Sequence, residues 1–242
     1  MTNDHLIVKR AGSKEFEEVR SPKDSTLVLL SMCCNKDYVW FGGVGRIFRY
    51  SDKDRSLTEF CKLEKKDFRI KNMHITGKNE IICCSHNGTI LVDMNTGEFR
   101  TTPYTSRGVS ASFIDSKGRL WLAYYNNGIE VYDTDGRTLR KYNVSNSDLS
   151  SDIVLCMTER EGVIWAGTDG GGLNLIDLDK NSITVLSHVS GDPSSFPAHS
   201  IKSVCTDYHG NIWAGSIRDG LINISQSKMN TYTDVHLGLK TG

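Results

Sequence analysis

The run Gly162-Val-Ile-Trp-Ala-Gly-Thr-Asp-Gly-Gly-Gly-Leu-Asn-Leu-Ile-Asp177 has the glycine density of a loop that could cradle a phosphate. That chemistry needs a strand before the glycines and a helix after them, so that backbone N–H groups converge on the anion, and usually a Lys-Ser or Lys-Thr pair. Neither condition is met. The spacing is not GxGxxG, no lysine follows, and Leu173-Asn-Leu-Ile-Asp177 alternates apolar and polar for most of its length, as a strand does. Other reactive signatures are missing too: no HExxH, no GxSxG elbow, no DxDxDG calcium loop and no local His/Cys/Asp cluster at ligand spacing. His74, His86, His188, His199 and His209 read as surface or turn histidines. The sequence calls for no catalytic residue, no metal and no cofactor.

The glycine run recurs. Residues 210–224 read GNIWAGSIRDGLINI and 118–132 read GRLWLAYYNNGIEVY, with weaker copies YVWFGGVGRIFRY at 38–50 and EIICCSHNGTILV at 80–92. A phosphate loop is needed once, whereas a turn returning every 39 to 48 residues belongs to a structural repeat. Five anchor positions, Trp40, Ile82, Trp121, Trp165 and Trp213, take all four tryptophans, and twelve residues before each stands a β-branched residue: Val28, Ile70, Val109, Ile153 and Ile201. Between them lies hairpin chemistry, as in Asp115-Ser-Lys-Gly118, Asp207-Tyr-His-Gly210 and Glu159-Arg-Glu-Gly162. After the anchor come a turn ending in glycine (Gly45, Gly88, Gly128, Gly172, Gly220), a third alternating run and a short fourth one.

Four short strands per unit of about 40 residues predict an all-β protein, a β-propeller or propeller fragment of four-stranded antiparallel blades. The repeats run approximately 24–64, 67–104, 107–150, 151–199 and 200–238, with a partial one at 5–22 supplying two outer strands, all in one domain. The tryptophans are expected to fill the space between sheets, and the glycines to supply positive φ in tight turns.

Lysine plus arginine equals aspartate plus glutamate at 29 each, which argues against a nucleic-acid partner. No apolar run approaches the roughly 18 to 20 residues of a membrane span, so no membrane contact is expected of this segment. The first 30 residues show no signal peptide, which suits either a cytoplasmic protein or a mature or excised segment. Seven cysteines form no CxxC pair and are expected to be small buried core residues with free thiols.

The pattern D-x-x-G-x-[IL]-W-x-G-x-x-x-x-G-[IL], read from Asp207 to Leu221 and with departures at 115–129 and 159–173, resembles the two-component regulator propeller repeat. The resemblance covers residues 24–235, strongly from 107 onward. It implies the periplasmic sensor region of a hybrid two-component system of Bacteroides type. Such a region is membrane-anchored and recognises oligosaccharides, and neighbouring domains of the larger chain carry the histidine kinase. The second repeat departs from the pattern at Ile82-Cys83-Cys84, and free cysteines sit uneasily with an oxidising periplasm.

Five units and a half do not make the family's usual seven, and the tail after Tyr232 is too short to complete the partial one. An exposed blade edge and apolar face are therefore expected to drive self-association. A ligand is expected on the turns between strands two and three, which vary while their flanks do not. Those turns hold Arg46, His86, Tyr124, Tyr125, Asn126, Asp169, Arg218 and Asp219, a set with the aromatic faces and planar polar groups that suit a carbohydrate. Two other readings stay open: a cytoplasmic protein-interaction scaffold of WD-repeat or kelch kind, though no unit ends in Trp-Asp, and a propeller lyase or hydrolase similar to streptogramin lyases.

Overall fold

The computed structural model describes residues 5–20, 27–64, 67–102, 104, 108–225 and 229–232. Parts of the expected repeat ranges, including 21–26, 105–107 and the tail after Tyr232, lie outside them. The chain divides into two compact units, Met1–Gly108 and Val109–Gly242. Every sheet is antiparallel, and every four-stranded sheet is a simple meander.

The first unit holds a hairpin, β1 (His5–Lys9) with β2 (Phe16–Arg20), and two four-stranded sheets. One sheet comprises β3 (Ser31–Cys34), β4 (Tyr38–Gly42), β5 (Arg46–Ser51) and β6 (Ser56–Lys62), and the other β7 (Asn72–Ile75), β8 (Glu80–Ser85), β9 (Gly88–Asp93) and β10 (Phe99–Thr101). The hairpin lays Leu6, Val8 and Val19 on Phe41, Phe48, Tyr50 and Leu57. Trp40, Ile47, Cys61, Ile70, Met73, Ile81 and Cys83 fill the space between the two larger sheets.

The second unit repeats the design three times. Its sheets are β11 (Val109–Ile114), β12 (Leu120–Tyr124), β13 (Ile129–Tyr132) and β14 (Thr138–Tyr142); then β15 (Val154–Arg160), β16 (Val163–Thr168), β17 (Leu173–Asp177) and β18 (Ser182–Leu186); then β19 (Ile201–Thr206), β20 (Ile212–Ser216), β21 (Leu221–Ile224) and β22 (Met229–Tyr232). Trp121 lies in the layer between the first two sheets and Trp165 in the layer between the second and third. Each such ring removes on the order of 200 Å² from water, a gross gain of about 5 kcal/mol. Trp213 is only half-buried, so the expectation that every anchor fills an inter-sheet layer fails at the last one.

The glycines divide into two classes, of which the sequence suggested one. Gly45, Gly88, Gly128, Gly172 and Gly220 do adopt positive φ after the second strand. Gly42 and Gly167 sit inside strands with ordinary φ and are small for a different reason. A Cβ on Gly42 would fall 2.5 Å from Ile70 Cγ2, and one on Gly167 would fall 2.6 Å from Ile201 Cγ2. Each therefore leaves a notch that the next sheet's β-branched residue enters.

Beside the notch, a donor on the facing inner strand bonds the next sheet's backbone: Ser31 Oγ to the Ile70 carbonyl at 2.7 Å, Ser110 Oγ to Val154 at 2.8 Å, Cys156 Sγ to Ile201 at 3.7 Å. A turn amide adds a second tie, from Gly45 to Phe68 O, Gly128 to Asp152 O and Gly172 to His199 O, at 2.8–3.0 Å. Sheet thus docks on sheet through one repeated set of contacts.

The constant spacing of twelve conceals a slip. The residue facing the anchor lies eight positions before it in β7, β11 and β19 but seven before it in β3 and β15. A one-residue bulge opens β11, β15 and β19 alike, so the slip lies in the hairpin, which is one residue shorter in β3 and β15. In β15 the fully buried residue is consequently Val154 and not the expected Ile153, which is half-buried. The same slip changes the hairpin. Glu159 faces Ile164 on the strand, and Glu161-Gly162 form a tight two-residue turn with φ of 53° and 78°. Glu159 therefore does not play the part of Asp115. Its carboxylate accepts from Ser116 N and Oγ of the neighbouring hairpin, both at 2.6 Å.

In the two hairpins that keep Asp-x-x-Gly, the aspartate joins turn to core. Asp115 Oδ1 accepts from the amides of Lys117 and Arg119, and Oδ2 accepts from Arg119 Nε at 2.5 Å and Trp121 Nε1 at 2.8 Å. Asp207 does the same with the amides of His209 and Asn211, with Asn211 Nδ2 at 3.0 Å and with Trp213 Nε1 at 2.9 Å. The Trp213 indole is the leading cause that holds the Asp207 carboxyl down at about 2, from an ordinary 3.8, with the Asn211 amide second.

Because the folded-state value is the lower one, this contribution to stability is complete above about pH 4 and is lost as pH falls through about 2. Urea unfolding between pH 5 and pH 2 is expected to steepen in that window, and Asp207→Asn to flatten it. An unchanged profile in the variant would show that the carboxylate is not the titrating group.

Burial pushes the thiols of Cys33 and Cys156 up to about 12 and raises those of Cys61 and Cys83. The expectation that the cysteines are core residues fails at Cys34 and Cys205, which are exposed. Cys34 shares its sheet face with Val39 and Phe41, against which the β1–β2 hairpin packs.

Candidate functional site

The turns between second and third strands lie at one end of each sheet, where Gly45, Gly128 and Gly172 tie to the next sheet. In the first unit, Arg46 begins β5 and pairs with Glu59 Oε2 at 2.7 Å. His86 is exposed in the β8–β9 turn, beside Asn87, whose Nδ2 donates to Asp67 Oδ2 at 3.3 Å.

In the second unit, Tyr125 is 75% exposed in the β12–β13 turn, and the neighbouring Asn126 holds φ at 56°. Asp169 follows β16 and is committed: its Oδ1 accepts from Ser200 Oγ at 2.7 Å, and that same hydroxyl accepts from the Gly170 amide. Arg218 is exposed in the β20–β21 turn, while the Asp219 amide donates to Ser216 Oγ and its residue is half-buried.

Tyr124 requires a correction. It is the last residue of β12, pairs with Val109 and is 1% exposed, so it belongs to the sheet and not to the turn rim. Its hydroxyl lies 3.0 Å from that of Tyr132, which in turn donates to Glu130 Oε2; Lys141 Nζ lies 3.0 Å from Glu130 Oε1. The turn starts one residue later than expected because the Tyr124 amide still pairs with the Gly128 carbonyl.

This buried polar chain escaped the sequence reading. Its signal was present in Ile129-Glu-Val-Tyr132: Glu130 faces Leu122 on the strand beside the anchor, at the register where other sheets place Phe48, Asn174 and Ile222. Asn174 is likewise fully buried and holds the segment leading into β15, accepting from the Ser150 amide at 3.0 Å and donating to Ser150 Oγ at 2.7 Å.

Among the eight expected residues, His86, Tyr125, Asn126 and Arg218 make no side-chain hydrogen bond or ion pair with another described residue. Within the second unit, Tyr125, Asn126 and Arg218 offer an aromatic face, an amide and a guanidinium. They can stack on and hydrogen-bond a polyol. They include no nucleophile held by a base. Among the described residues no three His, Cys, Asp or Glu side chains are grouped to hold a metal ion. His188 and His199, distant in sequence, do meet edge to face at 4.5 Å, with His188 Nδ1 3.3 Å from the Phe196 carbonyl. No described helix is long and apolar enough to cross a membrane.

No protein-family model matches the chain, and no curated protein does. Solved structures match widely. The extracellular domain of hybrid two-component system BT4673 from B. thetaiotaomicron shares 18% identity at a TM-score of 0.66, over 86% of this chain and 31% of that one. The corresponding domain of BT3049 from the same organism gives 19% and 0.66, over 86% and 30%. Virginiamycin B lyase from Staphylococcus aureus gives 14% and 0.72, over 95% and 78%. The chain thus spans about a third of the length of the sensor domains it matches. Those domains are of the kind whose repeat the sequence resembles. What these likenesses carry is fold: the chain is an all-β protein built of four-stranded propeller blades.

Proposed function

We propose that this chain is a recognition segment of a two-component sensor, non-catalytic by itself, and that it works in the periplasm as part of a membrane-anchored protein. Its ligand is an oligosaccharide, bound in the second unit by the turns that carry Tyr125, Asn126 and Arg218. Kinase output belongs to neighbouring domains of the larger chain. The observation that carries the reading is Tyr125, a large aromatic 75% exposed beside an amide and one sheet away from the sheet that bears Asp169. Aromatics left so open on a rim of polar groups suit the C–H face of a sugar ring. Likeness to extracellular sensor domains supports the cellular setting.

Titration calorimetry of the chain against a panel of glycan-derived oligosaccharides tests it. Saturable binding is expected, weakened about tenfold or more by Tyr125→Ala or Arg218→Ala, with unfolding midpoints unchanged. Equal affinity in both variants would remove these turns from the site. The likeness to virginiamycin B lyase favours a second reading, a lyase, which appearance of product in the same titration would establish. Binding of peptides and not of sugars would point to a scaffold instead.

A further inference from the structure

The loop from Ser187 to Ser200 joins β18 to β19 and carries a histidine near each end, His188 and His199. The fold pins this loop in place. Phe196 and Ala198 are buried in the layer between the β15–β18 and β19–β22 sheets. The His199 carbonyl accepts from Gly172 N at 2.8 Å, and the Ser200 carbonyl accepts from Ile217 N at 3.0 Å. Within the loop, the Ser195 hydroxyl accepts from Val189 N at 3.0 Å and donates to the Asp192 carbonyl at 2.7 Å. None of these ties uses an imidazole.

The two rings meet with centroids 4.5 Å apart and planes at 63°. His188 Nδ1 lies 3.3 Å from the Phe196 carbonyl oxygen. A carbonyl only accepts, so in the neutral ring the proton sits on Nδ1 and the lone pair is left on Nε2. Metal-binding histidines adopt this arrangement, because a bond from the other nitrogen to a carbonyl fixes the tautomer and raises the basicity of the ligating nitrogen. His188 is half-buried and held, whereas His199 is exposed and its side chain has no hydrogen bond or ion pair with another described residue. The His199 ring can therefore turn about its broad χ2 to aim a nitrogen at a shared ion.

Ring spacing decides what geometry such an ion would have. A first-row metal about 2.0–2.1 Å from a nitrogen stands about 3.2 Å from that ring's centroid, so two imidazoles at about 90° around one ion have centroids about 4.5 Å apart. At the tetrahedral angle the separation is about 5.2 Å. His188 and His199 stand at the first distance. Nitrogen ligands at right angles, with oxygen in the other positions, are the preference of Cu(II) and Ni(II).

We propose that His188 and His199 form a two-imidazole site for a divalent transition metal of tetragonal preference, Cu(II) or Ni(II), with water in the remaining positions. Two protein ligands make the site open and exchangeable. It is independent of the sugar reading, whose test uses Tyr125 and Arg218.

Calorimetric titration of the untagged chain with nickel chloride tests it. Nickel is the probe because the exposed thiols of Cys34 and Cys205 would reduce Cu(II). One ion per chain is expected. His199→Ala and His188→Ala should each weaken binding by at least the roughly 10–100-fold that loss of a ligand's outer partner costs. His86→Ala, which removes an exposed histidine of the first unit, and Cys205→Ser should leave it unchanged. In proton NMR the ring resonances of His188 and His199 should broaden together, ahead of the other histidines, as the paramagnetic ion is added.

His199 is exposed, so its variant is expected to fold, which circular dichroism checks, and it carries the test alone if His188→Ala does not. Absence of one-to-one binding overturns the proposal. Equal affinity in His199→Ala and wild type, or binding lost in His86→Ala or Cys205→Ser, overturns it equally.

Discussion

Asp115→Ala is expected to lower the unfolding free energy of the second unit by about 3–5 kcal/mol, the range for removing one partner of a buried charged pair. The carboxylate is 4% exposed and accepts four donors: two turn amides, Arg119 Nε and the indole of Trp121, a residue with no exposure at all. Alanine would orphan them together. Water cannot replace the lost acceptor at Trp121 without opening the layer between the β11–β14 and β15–β18 sheets, and the Arg119 guanidinium keeps only Asp179, 3.4 Å away. Asp115→Asn should cost less, since one side-chain oxygen still accepts while the Arg119 charge loses its counter-ion. Urea denaturation of the three proteins checks the order wild type, Asn, Ala. Equal midpoints for Asn and Ala would show that the ion pair, and not acceptor count, sets the loss.

That prediction rests on a feature the sequence displayed openly. Asp-x-x-Gly followed by an apolar residue and tryptophan could be read as a turn, and the structure adds that the aspartate also ties down the indole. Where the motif is altered, the reading was less exact for a physical reason. In the first sheet the anchor's hairpin is one residue shorter, Asn35 caps the turn through the amides of Asp37 and Tyr38, and Trp40 Nε1 is left buried without an acceptor. Spacing alone did not separate such hairpins, because the distance from the β-branched residue to the anchor stays at twelve while the hairpin loses a residue. Strand alternation, in contrast, is a property of each strand by itself, and all five four-stranded sheets were legible from it.

The candidate site was legible only as a location. Turn sequences announce themselves through glycine and asparagine, but whether a polar side chain on a turn is available or already used depends on partners far away in the chain. Asp169 is used by Ser200 and Arg46 by Glu59, pairings that no local pattern encodes. Tyr124 and Tyr125 are adjacent and identical, yet one is buried and the other is 75% exposed. Strand geometry sends them to opposite sides, and the reading needed the strand's true end. Sheet-to-sheet notches were missed for a related reason: a glycine that admits a neighbour's isoleucine looks, in sequence, the same as one that turns the chain.

The two kinds of glycine constraint can be separated at Gly128 and Gly210. Gly210→Ala is expected to cost about 1–2 kcal/mol, the penalty of left-handed φ for a residue with a Cβ. Its φ is 79°, and nothing lies within 4 Å of the new carbon. Gly128→Ala should cost about 2–5 kcal/mol, because the same φ penalty is joined by overpacking, which alone runs to about 1–3 kcal/mol. At φ 69° the new methyl would press on the Tyr142 carbonyl oxygen and lie 3.0 Å from its carbon and 3.1 Å from Asn143 Cα.

These are backbone atoms of β14 and the residue after it, so no side-chain rotation relieves the contact. Moving the Gly128 backbone instead would loosen two bonds, from its amide to Asp152 and from the Tyr124 amide to its carbonyl. The turn that bears Tyr125 and Asn126 hangs on those bonds. Gly128→Ala is thus expected to reduce ligand affinity as well as stability, whereas Gly210→Ala, at the opposite end of its sheet, should change stability alone. Chemical denaturation and calorimetry on both variants measure the split. Equal stability losses would show that φ strain, not the close approach to β14, sets the requirement for glycine at position 128.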